Sequence, residues 1–363
     1  MVIPTDAKAS DVIEVRPDEK FDQNKLAEFI TGKFPGSDLP ITVKQFGGGA
    51  ANLTYDLLFG EPVEHEYVLR RPPLGPVAKS AHDMGREYKV LSVLHKNYPY
   101  APKAFLYSED TSIIGSSFFI MDRKQGVVIR KTIPEKFQNN AAVGKRLSEE
   151  LVDRLVDLHK VDYKALGLED LGKPEGFIER QVEGWYRRWQ KAKHEDVKLM
   201  DDLYAWLKDN LPVSEEATLI HNDYKLDNCM VDANLEKIVA VFDWDMCTLG
   251  DSLSDLGALL AYWYDAKHDP PYMKPISTMP TEGIEFLTRK ELIDRYEAKS
   301  GRSVHNIAFY HTLGLFRLVV IIAQIYIRFV RGQTKDKRFA GLGPMIPLIA
   351  QSAMDVATGK LQY

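Results

Sequence analysis

The stretch His221-Asn222-Asp223-Tyr224-Lys225-Leu226-Asp227-Asn228 decides how this chain is interpreted. It fits the pattern H-x-D-x-x-x-x-N, in which a carboxylate precedes an amide by five residues. The carboxylate of Asp223 can accept a proton from a hydroxyl group, and the amide oxygen of Asn228 can reach a metal ion. The spacing therefore predicts a loop that carries a general base and, across the loop, a first metal ligand.

A second carboxylate stretch follows closely, Val239-Ala240-Val241-Phe242-Asp243-Trp244-Asp245. An apolar strand here runs directly into Asp243, after a hairpin predicted from residues 229–231 and 237–242. Two neighbouring carboxylates without a counter-charge are costly to bury, so Asp243 and Asp245 favour a bound cation. A loop or capping role for Asp245 remains an equal alternative. With Asp223 and Asn228, these residues supply what phosphoryl transfer needs: a base and oxygen ligands for Mg²⁺.

The chain before this region is rich in short β-type runs. Five strands are predicted, at residues 41–46, 52–59, 66–71, 105–107 and 117–121, with one helix inserted at residues 82–96. A short helix at residues 21–34 precedes them and ends at a Pro-Gly pair. The amino-terminal part is therefore expected to be an antiparallel sheet.

After residue 122 the pattern becomes mainly helical. Leu147, Leu151, Leu155 and Leu158 recur with helical spacing, and further helices are predicted at residues 177–193, 197–211, 253–264, 289–298, 304–330 and 344–358. The apolar run 318–327 is flanked by Arg317 and Arg328 and is shorter than a membrane span, so we expect a buried helix.

The composition bounds the functional class. With 363 residues the chain is long enough for two lobes, and its net charge of −5 gives no sign of a nucleic-acid partner. The two cysteines do not indicate a disulfide scaffold, and the first 20 residues lack the order of a secretory signal. We therefore expect a cytoplasmic protein that binds neither nucleic acid nor membrane; a homodimer stays open.

The two carboxylate stretches together resemble the aminoglycoside phosphotransferase and choline kinase superfamily, which has the protein-kinase-like fold. They are most similar to a bacterial branch related to the kinase domains fused to some acyl-CoA dehydrogenases, and the resemblance covers residues 41–264. It implies an α+β, two-lobed fold: an antiparallel five-stranded amino-terminal lobe with one helix (residues 1–121), and a helical lobe (residues 122–363) that holds the catalytic loop and the substrate pocket.

The resemblance also implies roles in the helical lobe. Asp223 is expected to be the catalytic base, and Asn228 and Asp243 to be Mg²⁺ ligands. His221 is expected to support the loop from inside. Lys225 corresponds to a lysine that contacts the transferred phosphate, although a plain surface lysine is an equal alternative. Asp255 is expected to hold the catalytic loop by hydrogen bonds.

Two further residues have simpler explanations. Asp251 or Ser252 is expected to cap the helix that contains Asp255, because such side chains accept from the first free N–H groups of a helix. His159 is expected to pack or to cap the end of its helix.

In the amino-terminal lobe, the turn at residues 47–52 is expected to lay the backbone of Gly48, Gly49 and Asn52 over the ATP phosphates. It lacks the G-x-G-x-x-G pattern, so a plain hairpin turn is the alternative. Arg70 stands where the family places a lysine on the phosphates, and Glu87 is its expected partner. Backbone groups near Met121 and Arg123 are expected to hold the adenine edge.

The acceptor is expected to be the hydroxyl group of a small molecule. Seven residues separate Asp243 from Asp251, too few for a peptide-docking segment, and there is no A-P-E. Basic residues late in the chain favour a hydroxylated acid or an acyl thioester: Arg302, Arg317, Arg328, Arg331, Lys335, Lys337 and Arg338. An aminoglycoside phosphotransferase and a non-catalytic nucleotide-binding protein remain as alternatives.

Overall fold

The computed structural model describes residues 12–47, 52–74, 83–138, 140–214, 216–277, 279–280, 284–334, 337–361 and 363. The chain divides into two compact units. The first comprises Met1–Gln138, Lys164–Leu168 and Leu226–Cys247, and the second comprises Asn139–Tyr163, Glu169–Lys225 and Thr248–Tyr363. Residues 226–247, which we expected in the helical lobe, thus belong to the first unit. The lobe boundary after residue 121 stays a prediction.

Most strands lie in the earlier part of the chain and most helices in the later part, as expected of an α+β chain. The strands are β1 (Val12–Ile13), β2 (Ile41–Phe46), β3 (Leu53–Phe59), β4 (His65–Arg71), β5 (Ala104–Ser108), β6 (Phe118–Asp122), β7 (Val127–Val128), β8 (Thr218–Ile220), β9 (Cys229–Val231), β10 (Ile238–Val241) and β11 (Thr248–Gly250). The helices are α1 (Gln23–Ile30), α2 (Met84–Leu94), α3 (Thr111–Ile114), α4 (Ala141–His159), α5 (Phe177–Ala192), α6 (Lys198–Asp209), α7 (Leu253–Tyr262), α8 (Arg289–Ser300), α9 (Ile307–Val330) and α10 (Met345–Ala357).

The first unit is built on a six-stranded antiparallel sheet in the order β1-β2-β3-β4-β6-β5. All five predicted strands are present, and β1 adds a sixth at the edge. In β3, Tyr55, Leu57 and Phe59 are fully buried because alternate residues of a strand face the same side. They pack with Leu26 and Ile30 of α1 in one apolar core.

A second, three-stranded sheet in the first unit has the order β10-β9-β7. Its β9–β10 hairpin is the one predicted from the sequence. The pair Val241 and Cys229 closes the hairpin, so Asn228 and Phe242 lie at the same end of it. This end of the hairpin leads into Asp243.

The second unit is helical, with a two-stranded sheet of β8 and β11. Its longest helix, α9, packs against α5, α7 and α10. By length and composition α9 could cross a membrane, but 56% of its most apolar window is buried inside the structure. A core helix passes the same test, and residues 318–327 lie in its largely buried part, as expected.

Candidate functional site

Asp255 fixes the start of the loop 221–228. The loop follows β8 directly, and Asp255 lies in the first turn of α7 with no exposed surface. Its carboxylate accepts hydrogen bonds from the backbone N–H groups of His221 and Asn222, at 2.7 and 2.6 Å. The expectation that Asp255 holds this loop is confirmed. The N-cap position of α7 is Ser252, whose side chain makes no capping hydrogen bond; Oδ1 of Asp251, one residue earlier, accepts from the N–H of Leu253 at 3.0 Å.

Asp255 is itself held by His159. The Nε2 atom of His159 lies 3.2 Å from Oδ2 of Asp255, and its Nδ1 lies 2.8 Å from the hydroxyl of Tyr296. Burial acts to raise the pKa of Asp255, but the hydrogen bond and charge of His159 and the charge and amide of His221 outweigh it and lower that pKa. His159 is therefore a packed residue, as expected, and it also positions the carboxylate that holds the loop.

Asn222 adopts a left-handed backbone conformation, with φ of 65°. The buried guanidinium of Arg317 in α9 binds it twice: Nη1 donates to the side-chain oxygen and Nη2 to the backbone oxygen, both at 2.9 Å. The sequence does not predict this role; it places Arg317 among the basic residues suited to an anionic acceptor. The structure shows that Arg317 holds the loop, and its expected contact with an acceptor stays a prediction.

The side chains of Asp223 and Lys225 form an ion pair on the outer side of the loop. Between them, Tyr224 is fully buried and donates its hydroxyl hydrogen to the backbone oxygen of Leu151 at 2.8 Å. The backbone N–H of Asp223 donates to Nδ1 of His221 at 3.2 Å, consistent with the supporting role expected for His221. The ammonium of Lys225 lies 5.1 Å from the ring centre of Tyr262. The loop is thus anchored by Tyr224 and keeps a paired carboxylate and ammonium partly exposed.

In the first unit, Arg70 and Glu87 form the ion pair predicted from the sequence. Arg70 in β4 lies 2.9 Å from the carboxylate of Glu87 in α2, and its Nη2 lies 3.5 Å from Oδ1 of Asp243. The Glu87 side chain is fully buried and that of Arg70 is 11% exposed. One guanidinium therefore connects the sheet, the helix and the carboxylate that follows β10.

The charges of this group act on one another strongly. Burial raises the pKa of Glu87 to about 7; Arg70 opposes that rise, and the charges of Asp243 and Asp245 add to it. Burial acts to lower the pKa of Arg70, but Glu87, Asp243 and Asp245 together raise it. The three acids thus share one cation, which leaves net negative charge at this position.

The predicted metal ligands of the first unit are oxygen donors. The backbone oxygen of Asn228 accepts from the N–H of Phe242 at 2.8 Å, so Asn228 and Asp243 stand at one end of the hairpin. Asp243 has a left-handed backbone with φ of 69°, and Asp245 follows in a short helical turn. An amide and two carboxylates beside a shared arginine fit a hard cation such as Mg²⁺, which usually takes few protein ligands.

No group of three or more His, Cys, Asp or Glu residues that could hold a metal occurs in the part of the chain that the structure describes.

Of the remaining predicted residues, those that the structure describes lie in or near the six-stranded sheet. Asn52 is buried beside β3, whereas Gly48 and Gly49 lie outside the described residues. Met121 pairs with Val68 in the strand register. Their expected contacts with ATP stay predictions.

Arg123 follows β6, and its side chain binds Asp56 and approaches Glu66 at 3.5 Å. Burial raises the pKa of Asp56 to about 6, against the effect of Arg123. The side chain of Arg123 thus pairs with acids of the sheet. The expected contact with adenine concerns only the backbone of Arg123.

Comparison with known proteins identifies relatives over most of the chain. Residues 42–275 match the model of the phosphotransferase enzyme family. Acyl-CoA dehydrogenase family member 11 of Rattus norvegicus is 33% identical over 336 residues, which are 90% of this chain and 42% of that relative. The chain therefore spans less than half the length of the curated relative.

Solved structures share the fold. A Ralstonia eutropha protein, proposed to be an aminoglycoside phosphotransferase, is 27% identical with a TM-score of 0.80, covering 95% of this chain and all of that one (100%). A thermostable mutant of an aminoglycoside phosphotransferase, solved with AMP-PNP and hygromycin B, is 14% identical with a TM-score of 0.57, covering 92% and 98%. These likenesses confirm the expected α+β, protein-kinase-like fold class; the two-lobed arrangement stays a prediction.

Proposed function

Because the chain belongs to the phosphotransferase enzyme family, and is on that ground a small-molecule phosphotransferase, we propose that it transfers the γ-phosphoryl group of ATP to a hydroxyl group of a hydroxy acid or hydroxyacyl thioester. The observation that carries this proposal is the anchored loop, in which Asp255 binds two consecutive backbone amides just before Asp223. Such anchoring suits a general base, because a base must be held at a fixed distance from the proton it accepts.

In the proposed reaction, Asp223 accepts the proton of the acceptor hydroxyl as its oxygen bonds to the γ-phosphorus. The bond from the γ-phosphorus to the bridging oxygen of ADP breaks in the same transfer, giving ADP and a phosphomonoester. Lys225, paired with Asp223, would offset negative charge on the phosphoryl oxygens. The proton leaves to solvent when Asp223 is ionised again.

The first unit would supply the phosphate and metal contacts. Asn228, Asp243 and Asp245 are the proposed ligands of Mg²⁺, which when bound neutralises charge on the ATP phosphates. Arg70 would bind phosphate oxygens while Glu87 keeps its guanidinium in place. We propose a reducing compartment, the cytoplasm, because both cysteines are buried thiols.

The test is an acceptor panel with purified protein, ATP and Mg²⁺, in which ADP release is measured with and without each acceptor. The panel contains short hydroxy acids, their coenzyme A thioesters, choline and kanamycin-like aminoglycosides. We expect acceptor-dependent ADP release with the acids or thioesters, and a phosphomonoester signal by ³¹P NMR. The Asp223→Asn variant should lose this release, whereas Asp202→Asn, an exposed carboxylate in α6, should retain it.

Two results would count against the proposal. Turnover of aminoglycosides alone would assign the antibiotic-modifying activity instead. Equal background ADP release by the wild type and Asp223→Asn with every acceptor would favour a non-catalytic nucleotide-binding protein.

A further inference from the structure

Two arginines of the second unit lie against one tryptophan. The guanidinium carbon of Arg188 is 4.4 Å from the ring centre of Trp185, and that of Arg317 is 5.1 Å from the same centre. Trp185 and Arg188 stand three residues apart in α5, so their side chains are neighbours on the helix surface. Two cations thus share one buried indole, an arrangement that like-charge repulsion opposes.

The two cations differ in what they bind. Arg317 donates both terminal nitrogens to Asn222. Arg188 is exposed, and among the described residues it has no carboxylate partner and no hydrogen bond. Burial of part of its side chain, and then the charge of Arg187, lower the pKa of Arg188. Arg188 therefore keeps its donors available while its position is restrained by the indole.

The Arg188 guanidinium is linked to the loop 221–228 through Trp185 and Arg317. Arg317 binds the residue that directly precedes Asp223, and the charges of Asp223, Tyr262 and Arg188 all act on Arg317. Lys225 of the same loop lies over Tyr262. Lys225 and Arg317 thus contact the loop directly, and Arg188 is joined to it through Trp185 and Arg317. Among the described residues, Arg188 is the one of these three cations whose side chain donates no hydrogen bond.

We propose that Arg188 is a binding residue for an anionic group of the acceptor, a carboxylate or a phosphate. This inference rests on the proposed function and assigns the part of the acceptor that does not react. A bidentate oxyanion matches the fork of a guanidinium, and the Trp185 contact lowers the entropy lost when that fork is occupied. A bound anion also relieves the repulsion between Arg188 and Arg317.

The experiment measures binding without ATP, by isothermal titration calorimetry. The first pair of probes is 3-hydroxybutyrate and 1,3-butanediol, which share a carbon chain and a secondary hydroxyl but differ in the carboxylate. The third probe is 3-hydroxybutyryl coenzyme A, whose negative charge is on phosphates. The variants are Arg188→Gln and, as a matched control, Arg328→Gln, an exposed arginine of α9 in the same unit; thermal unfolding of each variant checks its fold.

We expect Arg188→Gln to raise the Kd of 3-hydroxybutyrate, its thioester or both about tenfold, the usual value of a charge-assisted pair. The Arg328→Gln protein should bind like the wild type, and 1,3-butanediol should bind equally to all three proteins. A Kd that rises for 3-hydroxybutyrate identifies a carboxylate as the group that Arg188 binds, and a Kd that rises for the thioester identifies a phosphate. Equal losses in both variants, no loss in Arg188→Gln, or a wild type that binds neither anionic probe would overturn the inference.

Failure of the proposed function gives a different result. If no acceptor stimulates ADP release while Arg188 still governs anion binding, the phosphotransfer proposal fails and the anion site stands. An increase in the KM for ATP in Arg188→Gln, with acceptor binding unchanged, would instead assign Arg188 to the nucleotide and overturn the inference.

Discussion

At the scale of single residues, Arg317 supports the catalytic loop as Asp255 does, but from a different helix. Asn222 is in a left-handed conformation, which costs a non-glycine residue about 1 kcal/mol or more unless its surroundings hold it. Arg317 binds both oxygens of Asn222, so the strained residue is fixed next to Asp223. Arg317 is a positioning residue, because its nitrogens contact the loop.

We predict that Arg317→Met lowers kcat by ten- to a hundredfold and leaves the KM for ATP within threefold of the wild type. The reason is that the base becomes misplaced while the nucleotide contacts proposed for the first unit remain. Steady-state kinetics with the best acceptor of the panel checks this. The control is Arg328→Met, an exposed arginine of α9; equal losses in both variants would contradict the prediction.

A second prediction at the residue scale concerns Glu87 and the pH dependence of the protein's stability. Its pKa is raised from 4.5 to about 7 in the folded protein, mainly by burial. Between these pH values the folded state holds a proton that the unfolded state has released, so the free energy of unfolding falls as pH rises. The loss is complete above about pH 7 and amounts to roughly 3 kcal/mol, at 1.36 kcal/mol per pKa unit.

The measurement is urea unfolding of the wild type and Glu87→Gln at pH 5 and pH 8. Glutamine cannot ionise, so the wild type should lose stability relative to the variant over this interval. The exposed Glu28 of α1 gives the matched control Glu28→Gln, whose difference from the wild type should not change with pH. A pH-independent difference for Glu87→Gln would show that burial does not govern the charge of Glu87.

The residues of the candidate site differ in how far the sequence predicts them. The pattern 221–228 identifies Asp223 and Asn228 because its spacing is local, and the pairing of Arg70 with Glu87 follows from their place in a family pattern. Arg317 was missed because it lies 95 residues from Asn222. Its one local signal is a cation within an apolar helix, which requires a buried partner without identifying it.

At the scale of elements, α7 and α9 approach closely because each has a glycine at their contact. A Cβ atom on Gly257 would lie 2.3 Å from the backbone oxygen of Tyr310, and one on Gly314 would lie 2.5 Å from that of Gly257. Since α7 carries Asp255 and α9 carries Arg317, this contact fixes the two side chains that hold the catalytic loop. The two glycines therefore support the candidate site by allowing α7 and α9 to pack closely.

We predict that Gly314→Ala destabilises the protein by about 1–3 kcal/mol, because the new methyl group would overlap a backbone oxygen and force the helices apart. Gly184 of α5 is the matched control, since nothing lies within 4 Å of the position its Cβ would take. Gly184→Ala should stabilise by about 0.5–1 kcal/mol, through helix propensity alone. Urea unfolding of both variants gives the sign of each change in the free energy of unfolding. Stabilisation by Gly314→Ala would contradict the close contact between α7 and α9.

The elements that the sequence predicts are those with strong periodicity. The five strands and the helices α4 to α10 agree with their predictions to within a few residues, because alternation and helical spacing extend over enough positions to be recognised. The strands β1 and β7 have two residues each, and β8 and β11 have three. Strands this short have little periodicity to detect. The equally short β9 was predicted because it follows the recognisable loop 221–228 and pairs with the neighbouring β10, whereas the four missed strands pair with distant segments, which a single sequence does not reveal.

At the scale of the whole molecule, the proposed function assigns separable tasks to the two units. Asp223 and Lys225 end a segment of the second unit, and the next residue, Leu226, begins the segment of the first unit that contains Asn228, Asp243 and Asp245. The proposed base and the proposed metal ligands are therefore connected by one short stretch of chain yet belong to different units. We expect that each task can be removed without the other.

We predict that Asp223→Asn lowers turnover by about 10²–10⁴-fold and leaves the affinity for ATP in Mg²⁺ within threefold of the wild type, since a general base contributes to the transition state. Asp243→Asn should instead weaken ATP binding at least tenfold in Mg²⁺ and much less without it, because it removes a proposed metal ligand. Calorimetric titration with ATP, with and without Mg²⁺, together with ADP release, checks both.

The Asp202→Asn variant controls for the loss of one negative charge and should match the wild type in every measurement. The decisive comparison is the ratio of the two effects. If Asp223→Asn weakened Mg²⁺-dependent ATP binding as much as Asp243→Asn did, the acid of the catalytic loop would be a metal ligand. In that case the proton of the acceptor hydroxyl would need another base.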